Sequence, residues 1–164
     1  MQYAGKVSGI PQPVPVAIAL GSNLGDRHGH LQWAVETLAT RVTNLRVSSH
    51  IETEPVDVPS PQPPYLNAAV VGETTMGPNE LIAWLLSLEH VRGRTRLAPR
   101  APRTLDLDLI LYGDQILSGP GVIIPHPRFR ERAFVVDPLA EIAPDWVDPV
   151  TGRTVAQIAS ERRG

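Results

Sequence analysis

The stretch Thr104–Tyr112, TLDLDLILY, has the clearest strand pattern in the chain, because polar and apolar residues alternate along it. Side chains two residues apart on a strand project from the same face, so the pattern predicts two distinct faces. One face holds Leu105, Leu107, Leu109 and Leu111, and the other holds Asp106, Asp108, Ile110 and Tyr112. The segment is therefore predicted to be a sheet strand with two adjacent carboxylates on one side.

The segments on either side of this strand predict the rest of the fold. Earlier strands are expected at Val14–Leu20, Asn44–Ile51 and Tyr65–Thr74, with helices over Asp26–Ala39 and from Gly77 to about Gly93. Short strands are expected at Gln115–Leu117 and Val122–Ile124, with short helices near Phe129 and Val155. The order strand, helix, strand, strand, helix, strand is typical of a ferredoxin-like α+β sandwich, a mainly antiparallel sheet with helices packed on it.

Length and composition indicate one ordinary globular domain. The 164 residues fit a single core, and we expect a domain over 16–164 preceded by a mobile tail, Met1–Pro15. No apolar run is long enough to cross a membrane, and the first residues lack the apolar segment of a secretory signal. There is no cysteine, which excludes disulfides and thiol chemistry and is compatible with a reducing, cytoplasmic location.

Positive charge is concentrated in one part of the chain. The net charge is −2, yet the window 92–132 contains eight arginines and only four acidic residues. Lys6 is the only lysine, so any phosphate contact in the folded domain must come from arginine, whose planar fork binds phosphate oxygens in pairs. A preference for arginine codons explains arginine over lysine, but it does not explain the clustering.

Asp106 and Asp108 are the strongest candidates for chemistry. Two carboxylates side by side repel each other and favour a bound cation, and Mg²⁺ commonly takes one or two carboxylates together with water and phosphate oxygens. The spacing alone fits a solvated strand face at least as well. The arginines before the pair, and His126 between two prolines after it, favour a nucleotide phosphate site.

Other segments are weaker signals by themselves. The residues Thr53–Pro64 include five prolines and predict an extended loop. Gly21–Gly25 predicts only a tight turn between a strand and a helix, since it lacks the P-loop pattern. Glu89, near the end of the second helix, fits a ligand contact or a solvated surface, and Tyr65, Asn67 and Phe134 fit either a flat heterocycle or the core.

Five segments occur together in one order: AIALGSNLGDR (17–27), YLNAAV (65–70), Glu89 followed by GRTR (93–96), PRTLDLDLILYG (102–113) and IPHPRFRERAFVVDPLAEIAP (124–144). This set resembles the 6-hydroxymethyl-7,8-dihydropterin pyrophosphokinase family of folate biosynthesis and covers nearly everything after Pro15. The resemblance implies a cytoplasmic, ATP-dependent diphosphotransferase that gives AMP and the pterin diphosphate.

The resemblance also implies roles for individual residues. Asp106 and Asp108 would hold two Mg²⁺ ions and, with Arg94 and Arg103, form the catalytic set. The implied ATP contacts are Glu89, Arg94, Arg96, Arg103, His126 and Arg132. The implied pterin contacts are Thr53, Pro55, Val56, Tyr65, Asn67 and Phe134. The two loops around 55–64 and 97–102 would close over the substrates, which are small molecules, with no nucleic acid or membrane partner and with a monomer or weak homodimer expected.

Two departures and two alternatives accompany the resemblance. The family often has Arg-Trp-Gly-Pro-Arg-Thr where this chain has Arg100-Ala101-Pro102-Arg103-Thr104, and Pro127 stands where an aromatic residue is frequent. A ferredoxin-like nucleic-acid binding module without catalysis is the main alternative, although it would need aromatics and a basic face on the central strands. A catalytically inactive relative is the other.

Overall fold

The computed structural model describes residues 11–54, 61–93 and 104–163. Five residues with implied roles, namely Pro55, Val56, Arg94, Arg96 and Arg103, lie outside these ranges, as does the whole segment 97–102. Most of the expected tail, 1–10, also lies outside them, while Val14 and Pro15 already belong to the first strand.

The elements follow the predicted order. The strands are β1 Val14–Ser22, β2 Thr43–Val47, β3 Ile51–Thr53, β4 Tyr65–Thr74, β5 Asp106–Tyr112, β6 Leu117–Gly119 and β7 Val122–Ile124. The helices are α1 Arg27–Leu38, α2 Pro78–Val91, α3 Ala133–Ile142 and α4 Val155–Arg163, with a 3-10 turn at Phe129–Glu131 before α3. None of the helices in the described ranges is long and apolar enough to cross a membrane.

The main sheet confirms the ferredoxin-like fold. Its order is β2-β4-β1-β5, with β3 also paired to β4, and each pairing is antiparallel. Strand β5 has β1 as its only sheet neighbour on this path, so its other edge is turned away from the sheet. Both aspartates lie on β5, so they belong to a strand at the edge of the sheet.

Helices cover both faces of the sheet. Alternate residues of β1 separate into two cores, with Val16, Ile18 and Leu20 packed toward α1 and α2. Ala17 and Ala19 pack toward the 3-10 turn, α3 and α4 on the other face. Small alanines on this second face let the C-terminal helices approach the sheet closely, and the result is three layers with two apolar cores.

Three local predictions were wrong. The short strand expected at Gln115–Leu117 lies at Leu117–Gly119 instead. The expected strand Asn44–Ile51 is broken into β2 and β3, and in the break Glu141 of α3 accepts hydrogen bonds from the backbone N–H and the hydroxyl of Ser49 at 3.1 and 2.7 Å. Strand β5 also departs from simple alternation, since its pairing with β1 shifts between Ala17 and Ile18. As a result Leu111 joins the core under α3 while Tyr112 joins the core under α1 and α2.

A buried ion pair holds the C-terminal part of the chain together. Asp148 is fully buried and accepts two hydrogen bonds from the Arg130 guanidinium, at 2.5 and 2.8 Å. Burial acts to raise the pKa of Asp148, but hydrogen bonds from Arg130, Thr151 and the Val150 backbone outweigh it, so the pKa lies below its ordinary value. Arg130 therefore has a structural role in this ion pair, and it is not a candidate phosphate ligand.

Candidate active site

One end of the second sheet face is polar. The register pairs Gly21 with Asn67 on one side and with Asp106 on the other, and it pairs Ala19 with Asp108. Directly paired residues share a face, so Asn67, Asp106 and Asp108 lie on the face that carries Ala17 and Ala19. With neighbouring strands about 4.8 Å apart, Asn67 and Asp106 lie roughly 10 Å apart across Gly21.

Gly21 keeps the space between these polar residues open. A Cβ atom added at this position would lie 3.3 Å from Asn67 Oδ1 and 3.5 Å from the Tyr65 ring. Any larger side chain would fill the gap between the Asn67 side and the aspartate side. Sequence analysis missed this role, although a glycine at the end of a buried strand is a known sign that something approaches the backbone closely.

The three described pterin candidates on β3 and β4 are brought together. Asn67 is buried, and its amide nitrogen donates to Thr53 Oγ1 at 2.8 Å and to the Ile51 carbonyl at 3.4 Å. These bonds fix the orientation of the amide, with Oδ1 directed toward Gly21. Tyr65 is half-buried on the same face two residues earlier, so an amide and an aromatic ring converge at one place.

One residue of the tight turn and the first residue of α1 secure the approach to Tyr65. The fully buried Asn23 donates to Gln62 Oε1 at 2.9 Å and to the Pro63 carbonyl at 3.3 Å. Arg27 donates to the Pro64 carbonyl at 2.9 Å. Sequence analysis gave the turn only a connecting role. Asn23 and Arg27 in fact hold the residues that lead into β4, a long-range contact that no local pattern predicts.

Glu89 does not occupy a solvated position. It is 1% exposed, and its Oε2 accepts a hydrogen bond from the backbone N–H of Leu107 at 2.6 Å. Leu107 is the residue between the two aspartates. The implied nucleotide contact of Glu89 is therefore accompanied by a direct bond to the strand that carries the acids.

An apolar pocket of about 300 Å³ adjoins the acids. Three groups of residues line it: Ile82, Leu85, Leu86 and Glu89 of α2; Leu107, Asp108 and Leu109 of β5; and Gly121, Val122, Ile123, His126 and Pro127. The pocket thus lies at the outer edge of β5, between α2 and the β6–β7 hairpin. Apolar walls with few polar groups are typical of sites for flat heterocycles.

His126 is held as a neutral side chain at the mouth of this pocket. Its backbone N–H donates to the Ile110 carbonyl at 3.0 Å, and its Nδ1 accepts from the Arg128 backbone N–H at 3.2 Å. Burial first, and then the positive charge of Arg132, lower its pKa, while the negative charge of Asp106 opposes them. With Nδ1 acting as acceptor, the neutral ring carries its proton on Nε2 and can donate it to an anion.

The described arginines of the window have different environments. Arg92 contacts His30 Nδ1 through two nitrogens, at 2.7 and 3.2 Å, and lies over Trp33. Arg128 faces Glu131, and Arg130 is paired with Asp148. Arg132 is half-buried, lies 5.7 Å from the Phe134 ring centre and acts electrostatically on His126. Part of the arginine clustering is therefore structural, while Arg132 and, to a smaller extent, Arg128 both lower the pKa of His126 by their positive charge.

The donor set fits a magnesium site of the open kind. Across 11–54, 61–93 and 104–163 there is no group of three or more His, Cys, Asp or Glu side chains able to enclose a metal. Asp106 and Asp108 supply two half-buried carboxylates opposite Gly21 and Ala19, whose small size leaves room above them. Two carboxylates with other positions left to water and phosphate are what Mg²⁺ accepts.

The fold brings an amide, an aromatic ring and two carboxylates to one end of the sheet, where the helices of the described residues do not pack, and this arrangement is typical of an enzyme that acts on small molecules. A family model described as 7,8-dihydro-6-hydroxymethylpterin-pyrophosphokinase matches residues 17–144. The chain belongs to this family.

Individual relatives agree. A Synechocystis protein named 2-amino-4-hydroxy-6-hydroxymethyldihydropteridine pyrophosphokinase is 43% identical over 146 residues, or 88% of this chain and 74% of the relative. A Bacillus subtilis protein of the same name is 45% identical over 127 residues, or 76% of this chain and 75% of the relative. An Arabidopsis mitochondrial folate synthesis bifunctional protein is 42% identical over 81% of this chain, which spans only 24% of that relative.

Solved structures support the fold. The crystal structure of wild-type Plasmodium falciparum HPPK-DHPS matches with a TM-score of 0.71 at 12% identity, covering 92% of this chain. This chain spans 45% of that one. The alternative of a nucleic-acid binding module is not supported, and much of the sheet face that such a module would expose is covered here by α3 and α4.

Proposed function

We propose that this chain transfers the pyrophosphoryl group of ATP to the hydroxymethyl group of 6-hydroxymethyl-7,8-dihydropterin at the uncovered end of the sheet, with AMP as the second product. One observation carries the assignment of the site. Gly21 has Asn67 on one side and Asp106 on the other in the sheet register. A ring held at Asn67 would therefore lie on the same sheet face as the carboxylates, about two strand spacings from Asp106.

The pterin is proposed to lie beside Tyr65 and Asn67. A pterin ring presents adjacent donors and acceptors, which an amide fixed by Thr53 is suited to pair with. Tyr65 offers a ring face, and Phe134, half-buried under Arg132, is a further aromatic on this side of the sheet. Pro55 and Val56 remain predicted backbone contacts.

The base of ATP is proposed to enter the pocket between α2 and the β6–β7 hairpin. Strand β5 is an edge strand whose Leu107 N–H points outward to Glu89, and the strand period places the backbone groups of Leu109 on the same outer side. These groups are able to pair with the edge of a base. His126 and Arg132 then lie near the phosphates, and Arg94, Arg96 and Arg103 remain predicted phosphate ligands.

Two Mg²⁺ ions on Asp106 and Asp108 are part of the proposal. Bound there, they would neutralise the phosphate charge that builds up during transfer. The chain's own contribution is positional. It holds the hydroxymethyl oxygen in line with the β-phosphorus, so that the bond to the AMP oxygen breaks as the new oxygen–phosphorus bond forms. The neutral His126 supplies a fixed hydrogen-bond donor beside this charge.

We further propose that residues 16–164 act as one catalytic domain, as a monomer or weak homodimer in the cytoplasm. The family match over 17–144 supports the placement of the domain. Size-exclusion chromatography with light scattering measures the oligomeric state directly.

The test of function is a product assay with ATP, MgCl₂ and 6-hydroxymethyl-7,8-dihydropterin, followed by phosphorus NMR. AMP should appear in step with a pterin diphosphate, and only when metal and pterin are both present. ADP in place of AMP would contradict the proposal, because it would mean transfer of a single phosphoryl group. Failure of any product to form with correctly folded protein would contradict it as well.

A further inference from the structure

Glu89 is an acid on the buried face of an otherwise apolar helix stripe. Its neighbours on that face are Leu81, Leu85 and Leu88, and its own side chain is 1% exposed. Taking a carboxylate out of water is costly unless hydrogen bonds to the charged form offset the loss. The 2.6 Å bond from the Leu107 N–H is a short contact of this kind.

The donor of this bond lies at a sensitive point of β5. Strand β5 pairs with β1 through its inner edge, and within the described ranges no strand pairs with the outer edge, to which an outward N–H points. The Leu107 N–H is outward and belongs to the peptide unit that joins Asp106 to Leu107, with Asp108 one residue further on. The bond to Glu89 therefore fixes the backbone between the two carboxylates to helix α2.

We propose that Glu89 is a positioning residue for the acid pair. This inference rests on the proposed function, since it concerns the metal-binding role of Asp106 and Asp108. Two like charges on neighbouring positions of an edge strand repel, and an edge backbone with only one partner strand yields more easily than a central one. Glu89 holds that backbone in one orientation, so both carboxylates face the site before the ions arrive. Groups that orient metal ligands commonly affect metal affinity about 10- to 100-fold.

Three possible roles of Glu89 predict three different effects. If Glu89 acts through Leu107, its loss weakens metal binding and leaves pterin binding alone, because Asn67 and Tyr65 lie on the far side of Gly21. If Glu89 acts by touching the nucleotide, its loss weakens ATP binding in the absence of metal. If it serves only the core, its loss lowers the melting temperature and changes neither affinity.

The experiment compares Glu89→Ala, which removes the acceptor, with Glu89→Gln, which retains an acceptor oxygen without the charge. Glu80→Gln is the matched control, since Glu80 is an exposed acid in the first turn of the same helix. Amide hydrogen exchange by NMR on the metal-free protein reports the Leu107 bond. Electron paramagnetic resonance with Mn²⁺ and a non-hydrolysable ATP analogue reports metal affinity.

In Glu89→Ala we expect the Leu107 amide to exchange about tenfold faster and Mn²⁺ affinity to fall about tenfold or more. Glu89→Gln should lie between Glu89→Ala and the unmodified protein, Glu80→Gln should match the unmodified protein, and pterin affinity should stay within about twofold throughout. Unchanged Mn²⁺ affinity in both Glu89 variants would overturn the inference. So would weaker ATP binding without metal at unchanged Mn²⁺ affinity.

Two further results keep the test decisive. If Glu89→Ala does not fold, Glu89→Gln decides, because it preserves size and an acceptor. If Asp106→Asn and Asp108→Asn bind Mn²⁺ as tightly as the unmodified protein does, the proposed metal site is wrong and so is the role of Glu89. If the aspartate variants bind Mn²⁺ more weakly and the Glu89 variants bind it normally, the proposed role of Glu89 is overturned and the proposed metal site is supported.

Discussion

The two ends of one sheet face use the same three strands in opposite ways. At one end Ala17, Ala69 and Ile110 are buried under α3 and α4 in a dry core. Two to four residues further along the same strands, the register brings Gly21, Asn67 and Asp106 onto that face. The side chains change from small and apolar to polar, while the β1–β4 pairing continues without a break and the β1–β5 pairing shifts by one residue between Ala17 and Ile18.

This difference shows how rigid support and chemistry share one sheet. The covered end gains stability from apolar burial, and the strands transmit that rigidity to the polar residues beyond the helices. A site placed on strands keeps its groups at fixed separations, whereas a site made of loops alone would not. Substitutions at the uncovered end should therefore change activity, and those at the covered end should change stability.

The largest expected effect is at the acids. Asp106→Ala or Asp108→Ala should lower kcat by about a thousandfold or more, because the proposed Mg²⁺ ions, whose positive charge would offset the phosphates, lose a carboxylate ligand. The melting temperature should change little, since both side chains are only half-buried and face the site. Product formation by phosphorus NMR and a thermal unfolding scan measure the two quantities. Near-normal turnover in either variant would remove the metal pair from the mechanism.

Ala69→Asp, at the covered end of the same face, is the opposite case. Ala69 is 2% exposed, and a carboxylate placed there without a partner should lower the free energy of unfolding by about 3 kcal/mol or more. Urea unfolding followed by circular dichroism measures the change. A variant as stable as the unmodified chain would show that α3 and α4 do not form a tight cover over the sheet.

A moderate effect is expected at Gly21. Gly21→Ala places a Cβ 3.3 Å from Asn67 Oδ1, so the amide or the bound ring must shift. We expect the KM for the pterin to rise about tenfold, a loss of about 1.4 kcal/mol, while the KM for ATP changes little. Steady-state kinetics with each substrate varied in turn provides the measurement. Equal changes in both KM values would mean that Gly21 does not separate the two substrates.

The smallest effect concerns pH. Burial, and then the positive charge of Arg92, lower the pKa of His30, and burial followed by Arg132 lowers that of His126. Below pH 6.5 the unfolded chain binds more protons at these sites than the folded chain does. The free energy of unfolding should therefore be highest above pH 6.5 and should fall as the pH drops toward the folded-state pKa values.

His30→Gln isolates one of these contributions. Between pH 7.5 and 5.5 the free energy of unfolding of the variant should fall less than that of the unmodified chain. The reason is that a glutamine oxygen can still accept a hydrogen bond from Arg92 but does not titrate. His90→Gln, an exposed histidine in the last turn of α2, is the control. Urea unfolding at the two pH values measures both. If the free energy of unfolding of His30→Gln falls as much as that of the unmodified chain, the Arg92–His30 contact is not the source of the pH dependence.

Sequence analysis predicted what depends on local pattern. Strands β1 and β4 and helices α1 and α2 were placed within about two residues of their bounds, because each has its own apolar period and end signals. The prediction that Asp106 and Asp108 share one face of their strand is confirmed by the register, which pairs them with Gly21 and Ala19. The family resemblance supplied the candidate roles, and the family match confirms the resemblance.

What sequence analysis missed depends on contacts between distant residues. The break between β2 and β3 is associated with Glu141, which is 92 residues from Ser49 in the chain. The anchoring of the residues before Tyr65 comes from Asn23 and Arg27, and the position of Glu89 comes from a bond across to β5. In each case a polar side chain satisfies a backbone group on another element, and no local periodicity encodes that.

The irregular point in β5 has a consequence for His126. Ile110 is the extra residue of that strand, since Leu109 pairs with Ile18 and Leu111 pairs with Ala17. Its carbonyl is the one that accepts the His126 N–H at 3.0 Å. A chain shortened by this one residue would alternate regularly and still present both aspartates, yet it would have no carbonyl at that point to hold the histidine. A single inserted residue thus links the segment after the hairpin to a sheet that is otherwise complete without it.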